Sequence, residues 1–161
     1  MSDPVEILLI HNRWAMRRLL EACAGLSHEQ FHRRFAMGPG SLHDTILHTI
    51  AAMRLWADVL KGGELRAWLE GPSFTVDDLR GFLEEAVLAL AMQSRNGGLG
   101  EMVERVREGK SELFSRGEVL MHLATHGMHH RAQCLNMLRH VGVNVLPKSS
   151  VADWVRLGRP D

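Results

Sequence analysis

Four of the chain's ten histidines, His122, His126, His129 and His130, fall within nine residues, in a sequence with no tyrosine. An imidazole can ligate a metal ion or move a proton near neutral pH. His126 and His130 are four apart, which on a helix puts both rings on one face about one turn apart. Two rings so placed can share one cation, the logic of helical His-x-x-x-His metal sites. His122 and His126 repeat that spacing. His122 and His130 lie two turns apart, roughly 12 Å along the axis, too far for one ion to take all three.

The helical wheel narrows the choice. At about 100° per residue, His126 and His130 flank the apolar arc of Val119, Leu123 and Met137. His122, His129 and His140 lie to one side of it with Asn136. Inward histidines are costly unless hydrogen-bonded or coordinated. They are either a bonded core pair or two ligands in want of a third. In the second long helix His48 borders the buried arc, while His43 falls with Arg54 and Asp58 on the polar side. His48 is therefore the better third ligand, with His11 as an outside alternative. A His48, His126, His130 set is three neutral ligands with coordination positions left open, the pattern of a catalytic rather than a structural site. Imidazole-only ligation suits Zn, Ni, Cu or Fe without choosing among them. Asn12 and Gln133 are polar where the pattern wants apolar residues, and are candidates to orient a histidine or a bound ligand.

Four amphipathic helices must position these residues. Ser2 or Asp3 caps the first, over about 3–24, with Pro4 in its first turn. Ser41 with Asp44 opens the second, 41–61, which stops at Gly62 and Gly63. Thr75 with Asp78 opens the third, 75–96. Ser115 with Glu118 opens the fourth, 115–141. Ser27 with Gln30 marks a short extra turn. The expected class is all-α, a four-helix bundle in a single domain over 1–161. Residues 99–114 read equally as a short hairpin or an irregular crossover. The tail 143–161, with Val151, Trp154, Val155 and Leu157, is expected to fold back onto the bundle.

The 161 residues are 45% hydrophobic and 24% charged, with 19 basic and 19 acidic side chains. A neutral chain gives no reason to posit a nucleic-acid partner, since such proteins carry a basic excess. The arginines Arg13, Arg17 and Arg18 read as a solvated face. No apolar run approaches the ~20 residues that span a bilayer. The start lacks the basic and apolar regions of a signal peptide, so a cytoplasmic location is expected. Cys23 and Cys134, both in apolar patterns, offer neither a disulfide framework nor a nucleophile.

Three segments together resemble the DinB/YfiT-like superfamily of metal-dependent enzymes. The first is His11-Asn12-Arg13-Trp14-Ala15 followed by Arg18-Leu19-Leu20. The second is Gly40-Ser41-Leu42-His43-Asp44-Thr45 with Leu47-His48 and then Leu55-Trp56. The third runs from Leu123 through Thr125-His126-Gly127-Met128-His129-His130-Arg131-Ala132-Gln133 to Gly142. The resemblance implies an up-down-down-up four-helix bundle, and a divalent metal held by His48, His126 and His130, with Zn or Ni favoured over Mn or Fe. It also implies a homodimer. Characterised relatives include S-transferases that use low-molecular-weight thiols such as bacillithiol, mycothiol or glutathione, and mycothiol-dependent isomerases. Thr125 stands where the family commonly has Asn, Gly127 where a polar residue is frequent, and Ala132 where Gly is usual. These departures leave the triad intact and weaken inference about the substrate.

The leading expectation is a thiol-dependent S-transferase acting on a small electrophile. Two alternatives stay open. One is a metal-dependent hydrolase on the same site, for which no His-Glu-x-x-His base is present, Gly127 occupying that position. The other is a non-catalytic metal-binding or small-ligand-binding stress protein, whose mark would be a fourth protein ligand such as His11 or His122.

Overall fold

Each long helix begins at a side chain that satisfies its own first amides. Asp3 accepts from Val5 N and caps α1, Pro4–Cys23. Ser27 and Gln30 form a reciprocal capping box on the short α2, His28–His32. Ser41 accepts from Asp44 N at the start of α3, Leu42–Lys61. Capping boxes of Thr75 with Asp78 and of Ser115 with Glu118 open α4, Val76–Ser94, and α5, Arg116–His140. A cap of this kind is worth about 1 kcal/mol. A last short helix, α6, spans Val151–Arg156. These elements come from a computed structural model that describes residues 3–71 and 74–160. The alternative cap Ser2 lies outside the described residues.

The chain is mostly helical, and it departs from an all-α class at one place. Residues 102–107 and 110–115 form an antiparallel hairpin, β1 and β2, with Val103 opposite Phe114 and Arg105 opposite Glu112. Glu108 and Gly109 turn it, both at positive φ (52° and 74°), as a two-residue type I′ turn requires. Val103, Arg105, Glu112 and Phe114 are half-buried, while Glu104, Val106 and Leu113 on the other face are exposed.

α3 is the most enclosed element. It packs against α4 and α5, and α1 packs against the same two helices. Leu42, Ile46 and Ile50 of α3 are fully buried with Leu20, Leu79, Leu83, Met137 and Leu138. The buried Arg116 donates to Leu60 O at 2.8 Å and to Gln93 O at 2.5 Å, so α3 and α4 end beside each other at the start of α5. That guanidinium satisfies carbonyls that a helix end leaves without an intrahelical partner. Arg13 and Arg17 are not merely a solvated face: they clasp Glu84 of α4 at 2.8 and 2.7 Å.

Two further placements matter near the site. His43, expected on the polar side, is fully buried. The reason is α2, which folds over the start of α3 and sets Phe31 and His32 against the His43 ring at 5.6 and 4.5 Å. In the tail, Trp154 is buried against Trp14 and Ala15, and its indole N–H donates to Pro160 O at 2.8 Å.

Candidate metal centre

His48 comes from the middle of α3, His126 and His130 from successive turns of α5. The contact between these helices brings three imidazole nitrogens together. His126 Nε2 lies 3.2 Å from His48 Nε2 and 3.1 Å from His130 Nε2. All three ligand atoms fall within 4.8 Å of one another. Nitrogens bound to one tetrahedral cation at about 2.1 Å would stand roughly 3.4 Å apart, so this cluster is close to ligand spacing.

The surroundings set which form of the rings converges. Gln133, one turn beyond His130, places its Oε1 2.8 Å from His130 Nδ1. Its amide nitrogen lies 3.0 Å from His129 Nε2, so in this orientation the amide donates to His129 while its oxygen accepts from His130. His130 Nδ1–H therefore donates to Gln133, and the Nε2 lone pair is left facing the other rings. A partner on the outer ring nitrogen is the usual companion of a metal-ligating histidine. Burial, then the neighbouring imidazoles, push His126 down to about 3. Burial lowers His48 and His130 as well, the Gln133 hydrogen bond opposing it at His130. The cluster is thus neutral at physiological pH, the state in which imidazole binds a cation. In metal-free protein an N–H on His126 Nε2 can donate to a neighbouring ring nitrogen, and a bound cation would take the place of that proton.

These depressed pKa values make a prediction for metal-free protein. Unfolded imidazoles take up protons near pH 6.5, whereas the folded ones do so at lower pH. Below that value the unfolded chain binds more protons, so stability falls as pH falls. The urea midpoint of the metal-free protein should drop steadily from about pH 6.5 to 4. A midpoint unchanged over that range would contradict the assigned environment.

The cluster opens onto a cavity of about 730 Å³ between α3, α5 and the hairpin. His48 and His126 reach its wall, along with Trp56, Trp68, Phe114 and His122. The Trp68 ring, from the connection after α3, lies 5.9 Å from that of His48. His122 stands edge-on to Trp56 at 5.5 Å. Neither His122 nor His11 joins the three-histidine group among the described residues. His11 is turned to the tail instead, its Nε2 3.0 Å from Ser149 O.

Of the two polar residues singled out in the sequence, Gln133 touches a cluster histidine and Asn12 does not. Asn12 is buried, accepts a short hydrogen bond from Arg131 Nη1 and lies 3.9 Å from Met53 Sδ. Two residues escaped the sequence reading. Arg131 is 4% exposed, and burial pushes its guanidinium down to about 10, so it remains charged at neutral pH. Arg105, on the hairpin, lines the cavity beside the histidines. Its signal in the sequence is the alternation Val103, Arg105, in a stretch that reads equally as a hairpin or a crossover.

No helix among the described residues is long and apolar enough to cross a membrane. No curated protein matches the chain. The sequence model of the DinB family matches residues 1–153, a span that takes in the three convergent histidines, Gln133 and the cavity wall. The chain belongs to the DinB family.

Proposed function

We propose that this protein is a metal-dependent S-transferase that joins a low-molecular-weight thiol, through its sulfur, to a small electrophile, with the electrophile's leaving group released or its epoxide ring opened. The observation that carries the reading is the open side of the histidine cluster. Three neutral imidazoles can hold a divalent ion, Zn or Ni in preference to Mn or Fe, and the cavity beside them leaves room for small molecules. A bound divalent cation supplies one thing here: it lowers the pKa of a thiol enough to hold it as thiolate near neutral pH.

The chain's residues do the rest. His48, His126 and His130 present their Nε2 atoms to one point. Gln133 keeps His130 in the tautomer that binds. Trp56, Trp68 and Phe114 offer apolar walls that exclude water from one side of the cavity. The helix contacts and the shared ends of α3 and α4 support an up-down-down-up four-helix bundle as the frame, in one domain. The reading also carries the homodimer that the family resemblance implies, which a solution mass of one chain by light scattering would overturn.

Zinc-loaded protein should conjugate a thiol such as glutathione to a chlorinated nitroarene or an epoxide, in a reaction that requires metal. Turnover of simple esters with no thiol present would replace this reading with the hydrolase. Loss of neither substrate, with metal bound, would leave a binding protein.

A further inference from the structure

We propose that the cavity beside the histidine cluster takes a small molecule bearing an anionic group, a carboxylate, phosphate or sulfonate, and that Arg105 holds that group. This deepens the proposed function by naming the ligand class of the same site.

The argument begins with an imbalance. Arg105 is half-buried on the inward face of the hairpin and lines the cavity with His48, His122 and His126. Its guanidinium lies over the Trp56 ring, 5.2 Å from the centroid. Among the described residues no carboxylate or carbonyl bonds it. The ring face offsets part of the lost hydration, yet it accepts none of the five N–H donors.

The acidic groups nearby do not fill the gap. Glu112 is opposite Arg105 in the ladder, and the two form no ion pair. Glu118 also lines the cavity, but its carboxylate is held by Ser115 N and Oγ at 2.7 and 2.9 Å in the cap of α5. Arg107, the other cation on the wall, is exposed and lies 3.6 Å from Glu108. Arg105 is therefore the half-buried cation whose donors are available to a ligand. A planar fork stacked on an indole has lost much of its freedom, so binding an oxyanion in two-pronged fashion costs it little further ordering. Trp56, Trp68 and Phe114 beside it suit an apolar or aromatic body on the same molecule.

The test compares 3-phenylpropionate with its neutral twin, 3-phenylpropionamide, by calorimetric titration. Wild type, Arg105→Gln, Arg105→Lys and Arg107→Gln are each measured metal-free and zinc-loaded, with metal content read on every sample. The acid should bind wild type roughly tenfold or more tightly than the amide in both states, as a charged hydrogen bond allows. Arg105→Gln should erase that preference, Arg105→Lys should keep part of it, and Arg107→Gln should leave it. Equal binding of the two probes, no binding of either, or a preference that survives Arg105→Gln would overturn the proposal. In the last case a carboxylate on the metal would explain the preference, and it would appear only in zinc-loaded samples. Failure to load zinc with the preference intact would sink the metal reading and leave this one standing.

Discussion

Replacing Asn12 by alanine should destabilise the protein by about 2–4 kcal/mol, because it strips a buried charge of its partner. Arg131 is 4% exposed and still protonated near pH 7, and the Asn12 carboxamide oxygen is its hydrogen-bond acceptor. The pair joins α1 to α5 one position along from His130. Gly127 makes it possible: a Cβ at that position would collide with Asn12 Oδ1 and come within 3.0 Å of Arg131 Nη1. Urea unfolding of metal-free Asn12→Ala measures the cost without metal linkage. A loss below about 0.5 kcal/mol would put Arg131 in contact with water and contradict its burial.

The second large effect is on affinity. Gln133→Leu should weaken metal binding about 10–100-fold with little change in fold, since it removes the acceptor that fixes His130. The amide is held from both sides, by His129 and His130. Gly38 gives it space, adopting φ +50 where a side chain would both strain the turn and strike the amide oxygen. Competition against a chromophoric chelator reads the affinity. An unchanged constant would mean that His130 does not depend on Gln133 for its tautomer.

The helices were legible because each advertises itself twice, by a cap and by an apolar arc. Asp3, Ser41, Thr75 and Ser115 all cap as their spacing predicts. The hairpin was legible only as one of two readings, for two reasons. Its apolar residues fall on both faces, Val103 and Phe114 inward, Val106 and Leu113 outward, which hides the period of two. Its turn is Glu108-Gly109 rather than the strong Asn-Gly signal. His43 was misplaced for a different reason. A wheel knows only its own helix, and α2 covers a face that the wheel leaves polar. The same limit hid the partner of Asn12. Its position in the α1 stripe showed that it is inward, but only the α1–α5 contact shows that it faces Arg131 rather than the histidines. His48, His126 and His130 were legible because their spacing and arcs are properties of single helices. The convergence of their nitrogens was expected from them and is what the packing adds.

Metal content by mass spectrometry on tag-free protein tests the central claim most directly, alongside a His126→Ala, His130→Ala double variant. The account predicts close to one divalent ion per chain in the wild type and none in the double variant, with both proteins folded by circular dichroism. Folded wild type that takes up no ion after incubation with Zn²⁺, Ni²⁺ and Mn²⁺ would contradict it, as would a double variant that binds metal as well as the wild type does.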